Sequence, residues 1–284
     1  MAQHIPASPG PRVADNETIA HVRGLRVLRG AGHTARPLVD DVNFDLRRGE
    51  RLGVAGGEAS GTSALARAIS GRAAHGETVV GGAVQAGGAA RLPADGSVDG
   101  VGPRVDLVAV TVGANPADAV RREREAIRRA LAEGAGVVVV DQTSDLPRDC
   151  ADEPNAAFLT RVFAAHDAAL VLVTEDLGVL RQTCDTVQVL LAGRIVERGP
   201  AGEILSFPRH RYAETLVAQA AGRWAPTAGQ ALDGCAFEPG CPVGRGRHDC
   251  ATTFPKSRSF PSPFGSVTAK CHQPAGGGRE EETR

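Results

Sequence analysis

Arg51-Leu52-Gly53-Val54-Ala55-Gly56-Gly57-Glu58-Ala59-Ser60-Gly61-Thr62-Ser63, continuing through Ala64 to Gly71, reads as three pieces. Arg51 to Ala55 is a short buried strand. Gly56 to Gly61 is a glycine-rich turn. Thr62 to Gly71 has helical spacing, with Leu65 and Ile69 on one face. Strand, glycine turn and helix together set successive backbone N–H groups around one concavity, where they can hold a phosphate. The full pattern for such a cradle is G-x-x-x-x-G-K-[ST]. Gly56, Gly61 and Ser63 match it, and Thr62 stands where the lysine belongs. Taken alone, the match is weak, and a turn with no ligand accounts for it equally well.

Working outward, short apolar runs alternate with helical patterns. His21 to Leu28 and Leu38 to Leu46 read as strands. Residues 72–104 are mostly small and polar, either loop or weak edge strands. Val105 to Val110 is a strand, and Pro116 to Glu133 a helix whose charge run, Arg121 to Arg129, reads as a solvated face. Val137 to Val140, closed by Asp141, and Ala169 to Thr174 read as buried strands. Helices are expected over 154–168 and from Asp176 to Cys184, and a hairpin over Thr186 to Arg198, turning at Ala192-Gly193. Fully apolar strands between helices indicate a mainly parallel sheet covered on both faces.

Composition narrows the function classes. The 284 residues carry a net charge of −1, so no global field attracts nucleic acid or acidic lipid. Aromatics are 4% of the chain, too few for a base-stacking surface. No apolar run approaches the ~20 residues of a membrane span. Met1 to Gly10 lacks the basic and apolar regions of a secretion signal. Residues 1–17 and 273–284 read as disordered tails.

Of six cysteines, Cys150 and Cys184 stand apart and read as ordinary thiols. Cys235, Cys241, Cys250 and Cys271 cluster with spacing C-x5-C-x8-C-x20-C. In a cytosolic chain such a cluster points to metal rather than disulfides. Four thiolates suit either Zn2+ or a [4Fe–4S] cluster, and the first spacing is wider than the C-x2-C usual for zinc. The apolar residues Phe237, Val243, Phe254, Phe260 and Phe264 are too few for a core, so a metal is expected to supply folding energy. On this reading, Ser at any one of the four positions disorders 235–272 and leaves 20–220 folded.

Further segments fall in a telling order. Val137 to Asp141 has the form of a Walker B strand. After Thr174-Glu175-Asp176-Leu177-Gly178-Val179-Leu180 come Ala192-Gly193-Arg194-Ile195-Val196-Glu197-Arg198-Gly199-Pro200, then Glu203-Ile204-Leu205 and Pro208-Arg209-His210-Arg211-Tyr212. Over roughly residues 20–272 this series resembles the ATP-binding subunits of ABC transporters, in particular the oligopeptide, dipeptide and nickel importer group. The resemblance implies an α/β P-loop NTPase-like ABC ATPase core over 18–225 and a Cys-rich C-terminal module over 226–272. It implies a nucleotide site at Gly56, Gly57, Glu58, Ala59, Ser60, Gly61, Thr62, Ser63 and Asp141. It also implies a [4Fe–4S] cluster on Cys235, Cys241, Cys250 and Cys271, with Cys271-His272 matching the end of the extension.

The chain departs from that family at the chemical positions. Thr62 cannot supply the charge of the P-loop lysine, and Lys256 and Lys270 are the only lysines. Gln142 stands in place of the glutamate that polarises the attacking water, and cannot accept its proton. Glu175 stands where the switch histidine belongs and repels a γ-phosphate. The LSGGQ signature aligns with Ala117-Asp118-Ala119-Val120-Arg121, and the glutamine loop falls near Thr111 or Val112. The helical subdomain between Val110 and Ala117 is expected to be mostly absent. Together these imply a hydrolysis-deficient subunit with weak or absent ATP and Mg2+ binding. It is expected at the inner face of the cell membrane, reached only through two permeases and working beside a competent ATPase. The alternatives are a low-activity ATPase and a soluble iron–sulfur protein that has left the transporter.

Overall fold

The computed structural model describes residues 17–86, 89–91, 104–109, 116–142, 153–223 and 233–276. Thr111, Val112, Cys150 and the segment 1–16 lie outside the described residues. The chain opens with strands β1 (Thr18–Arg29), β2 (Arg36–Arg47) and β3 (Arg51–Ala55), followed by helix α1 (Thr62–Ile69). Strands β4 (Glu77–Ala86), β5 (Ala89–Arg91) and β6 (Arg104–Ala109) precede α2 (Pro116–Ala132) and β7 (Ala135–Gln142). Then come α3 (Asn155–Ala164), β8 (Ala169–Thr174), α4 (Leu177–Thr183), β9 (Thr186–Leu191) and β10 (Arg194–Pro200). The last described elements are α5 (Ala201–Ile204), α6 (Arg211–Ala220), α7 (His248–Thr252), β11 (Arg258–Ser262) and β12 (Gly265–Ala269).

Two sheets result. The first is antiparallel, in the order β2-β1-β4-β5. The second has eight strands, β11-β12-β10-β9-β3-β8-β7-β6, parallel from β9 to β6 and antiparallel at the β10 edge. Residues 72–104, which the sequence leaves open between loop and strand, contain β4, paired with β1 from Ala20↔Ala86 to Arg29↔Glu77. Between β6 and α2 lie residues 110–115, outside the described residues, so α2 follows closely on its strand.

The apolar runs of β7 and β8 are explained by burial on both faces. Val137, Val139, Val171 and Val173 face a core shared with β1, β2 and α1, so α1 is packed between the two sheets. Val138, Val140, Leu170 and Leu172 face a second core under α2 to α6. Arg51 fastens the centre. Its side chain is 1% exposed, and Nε and Nη2 donate to the Asp185 carboxylate at 3.3 and 2.9 Å.

Residues 233–276 pack onto the main domain. Phe237 is fully buried within the second core, edge-on to Tyr212 at 5.5 Å. Strand β12 extends the main sheet, with Glu197↔Ala269 and Arg198↔Thr268. Residues 273–276, read as the start of a tail, are tied back. The Arg211 guanidinium donates to the Gln273 and Pro274 oxygens at 3.0 and 3.4 Å, and the Ala275 amide to the Arg209 oxygen at 2.7 Å.

Candidate nucleotide loop and cysteine cavity

The turn between β3 and α1 is shaped by steric necessity. Gly61 caps α1 at φ +94°, and a Cβ there would lie 2.0 Å from the Leu38 oxygen, so only glycine fits. Ala59 is also left-handed, at φ +60°. The Ser60 amide donates to the Gly57 oxygen at 3.1 Å, and the Ser60 oxygen accepts from the Gly193 amide at 2.8 Å. The β9–β10 turn therefore holds the loop from behind. Glu58 and Ala59 are exposed at its crest, while Ser60 and Thr62 are buried.

Thr62 does not reach outward as a lysine would. Its hydroxyl lies 3.4 Å from Ser60 Oγ, inside the turn. Ser63 keeps the other half of the cradle, donating from Oγ to Asp141 Oδ1 at 3.2 Å. This pair joins the first turn of α1 to the end of β7, an arrangement able to hold a hydrated Mg2+. The Gly57 amide donates to Tyr212 Oη at 2.8 Å, so a side chain from α6 occupies one of the turn's outward N–H groups.

Gln142 turns away from this pair. Its Nε2 donates to Glu123 Oε1 at 2.5 Å, and its Oε1 accepts from Asn155 Nδ2 at 2.9 Å. Burial pushes the Glu123 carboxyl up to about 7, with the Asp141 charge adding to the rise and the Gln142 hydrogen bond opposing it. Its Oε2 is buried with no hydrogen-bond partner among the described residues. The charge run of α2 is therefore not wholly solvated. The signal was present in the spacing, since Ala119, Glu123 and Ile127 recur every four residues and all are buried. Glu175 is exposed at the end of β8, where its charge joins burial in raising the Tyr212 hydroxyl. Ala117 to Arg121 form the opening turn of α2, where Asp118 pairs with Arg121 at 2.8 Å.

The second constellation lies beyond α6. Cys235, Cys241, Cys250 and Cys271 line one small cavity with His210 and Phe237. Gly244 approaches the sulfurs closely, since a Cβ there would lie 3.0 Å from Cys250 Sγ and 3.2 Å from Cys241 Sγ. Backbone amides surround the sulfurs. Gly244 donates to Cys241 at 3.1 Å, Phe237 and Glu238 to Cys235, and Arg211 and Gln273 to Cys271. Burial, with mutual repulsion among the thiolates, pushes Cys235 and Cys250 up to about 11. Among the described residues no three His, Cys, Asp or Glu side chains are set to hold a single metal ion. Four sulfurs around one cavity, three of them receiving backbone N–H groups, have the chemistry of a thiolate donor set. His272 donates from Nε2 to the Thr253 oxygen at 2.9 Å rather than completing a ligand set, and Cys184 is a buried core thiol.

His210, quoted from sequence only as part of the Pro208–Tyr212 segment, is buried and lines this cavity. Its Nδ1 accepts from the Tyr212 amide at 3.0 Å and caps α6, and its Nε2 lies 3.9 Å from Cys235 Sγ. Burial pushes it down to about 3, so the ring is neutral.

Comparison with known proteins agrees with this architecture. No family model matches the chain. It is 25% identical over 215 residues to the probable D,D-dipeptide transport ATP-binding protein DdpF of Escherichia coli, covering 63% of this chain and 69% of that one. It is 45% identical over 62 residues to the nickel import ATP-binding protein NikD of Rhodospirillum rubrum, covering 22% of this chain and 24% of that one. Among solved structures, cbiO1 from Clostridium perfringens, part of the ABC transporter complex cbiONQ, matches with a TM-score of 0.51 at 15% identity. That match covers 67% of this chain and 92% of the other. The fold is thus that of an ABC ATPase domain.

Proposed function

We propose that this chain, which has the ABC ATPase fold and resembles the ATP-binding subunits of peptide and nickel importers, is a hydrolysis-deficient member of such an importer with a structural or regulatory role. The observation that carries this reading is the Thr62 side chain, buried against Ser60 where a cation should face the phosphates. The two lysines of the chain lie in the C-terminal segment, so neither is at hand in the loop's own elements.

Other residues support the same reading. Ser63 and Asp141 would still hold Mg2+, which when bound neutralises phosphate charge. Gln142 offers no base, and its amide is committed to Glu123 and Asn155. Asp118 puts negative charge at the start of α2, where a partner's γ-phosphate would dock. The subunit would sit at the cytoplasmic face, bound to two permeases beside a lysine-bearing ATPase. Among the described residues no helix is long and apolar enough to cross a membrane. The cysteine cavity would carry a [4Fe–4S] cluster, held by Cys235, Cys241, Cys250 and Cys271, that ties the C-terminal segment together and supplies one-electron chemistry.

Three measurements test this. Affinity capture of the tagged chain from solubilised native membranes should bring down two permeases and a lysine-bearing ATPase. Recovery of the chain alone from the soluble fraction favours the orphan iron–sulfur protein instead. ATP turnover at ordinary levels for this fold, abolished by Asp141→Ala, would overturn the hydrolysis-deficient reading. Iron and acid-labile sulfide analysis of anaerobically purified protein should find a cluster, and its absence would remove that assignment.

A further inference from the structure

The glycine loop and the cysteine cavity are separate in sequence, yet one turn of chain touches both. At one end, the Tyr212 hydroxyl accepts the Gly57 amide at 2.8 Å. At the other, His210 Nε2 lies 3.9 Å from Cys235 Sγ. The two residues are joined directly, because His210 Nδ1 accepts from the Tyr212 amide at 3.0 Å. Nδ1 is thereby the acceptor nitrogen, which leaves the proton on Nε2, aimed at the sulfur. Phe237 wedges against both rings, at 5.5 Å from Tyr212 and 6.5 Å from His210. Just upstream, Glu197 accepts from the Arg209 and His210 amides, both at 2.7 Å, and pins the main chain.

We propose that Tyr212 is a positioning residue coupling the cysteine cavity to the glycine loop. The contact between His210 and Cys235 sets the first turn of α6, and with it whether the Tyr212 hydroxyl occupies the Gly57 amide. The physical basis is the rigidity of the imidazole. His210 is 1% exposed, so an Nε2–H that loses its sulfur is a buried unpaired donor, costly enough to make the ring turn. Both nitrogens belong to one planar ring, so turning it also breaks the bond to the Tyr212 amide. With the chain before it held by Glu197, the change is delivered to Tyr212 and onward to Gly57. An engaged Cys235 therefore keeps one phosphate-facing amide occupied, and a released Cys235 frees it. The consequence for nucleotide rests on reading the loop as a phosphate cradle, whereas the coupling itself does not.

The test is amide hydrogen exchange in the full chain without nucleotide, read at Gly57 and, as an internal reference, at Leu65, whose amide is bonded within α1 to the Gly61 oxygen. Tyr212→Phe removes the acceptor and should speed exchange at Gly57 about tenfold, leaving Leu65 unchanged. Cys235→Ala should speed Gly57 several-fold, and should add nothing in the Tyr212→Phe background. His210→Phe keeps the ring volume without either nitrogen and should release Gly57 as Cys235→Ala does. Unchanged exchange in Tyr212→Phe, additive effects in the double variant, or equal loss of protection at Leu65 in both the Cys235 and His210 variants would overturn the coupling. None of these readouts involves ATP turnover, so they stand or fall apart from the proposed function.

Discussion

Gln142 Nε2 donates to Glu123 Oε1 at 2.5 Å, so the last residue of β7 faces a buried carboxyl group on α2. Because burial raises Glu123 to about 7, above the 4.5 of an unperturbed glutamate, its protonated form favours the folded state. That contribution is fully present below pH 4.5, declines as the pH rises, and is gone above pH 7. Glu123→Gln should therefore unfold at a higher denaturant concentration than the parent at pH 8. The difference should shrink toward pH 5, as followed by circular dichroism at several pH values. The similarly raised Glu197 remains in both proteins and cancels in the comparison.

Thr62→Lys should restore part of nucleotide binding. The lysine would face the position of the phosphates from the first residue of α1, next to the retained Ser63–Asp141 pair. A charge-assisted hydrogen bond contributes about 1.5–3 kcal/mol, so affinity for a fluorescent ATP analogue should rise tenfold or more. Turnover should stay absent, because Gln142 and Glu175 are unchanged. Unaltered affinity would show that the loop is closed to phosphate for another reason.

Asp185→Ala should be among the most destabilising substitutions. Arg51 is buried, and its Nε and Nη2 both depend on the Asp185 carboxylate. Removing one member of a buried pair costs about 3–5 kcal/mol. Urea unfolding of the variant should show a loss of that order.

Gln188→Leu should do the reverse. Gln188 lies in β9, is fully buried, and finds no hydrogen-bond partner for Nε2 or Oε1 among the described residues. Replacing an unsatisfied buried amide with a side chain of similar volume should gain about 1–3 kcal/mol, read as a higher melting temperature.

The parallel core was legible because β7 and β8 carry unbroken apolar runs, Val137 to Val140 and Ala169 to Val173, which burial on both faces explains. Strand β4 was less so. Gly81 and Gly82 break its alternation, and it is a strand because β1 offers it a partner. The β11–β12 hairpin was hidden by Pro261 and by exposed polar positions, since its burial is confined to Val267 and Ala269. Within the loop, the glycines and Ser63 followed from spacing, and Asp141 from the family resemblance. The Tyr212–Gly57 bond did not, since it joins residues 155 apart and depends on how α6 lies against the sheet. Glu123 was concealed by the arginines around it, whose charges suggested solvent on every side.

The antiparallel edge also bears on how the chain comes together. The Thr268 hydroxyl bonds to the Arg198 oxygen across a sequence separation of 70 residues, and β12 meets β10 over the same distance. Closing so long a loop has an entropic cost that nearby pairings escape. During synthesis β10 therefore leaves the ribosome with one side bare and keeps it bare until β12 arrives. Throughout that interval it is a sticky edge, open to pairing with any passing strand. Slow elongation through residues 201–265 would lengthen the exposure, and a chaperone with affinity for extended segments would find its target there.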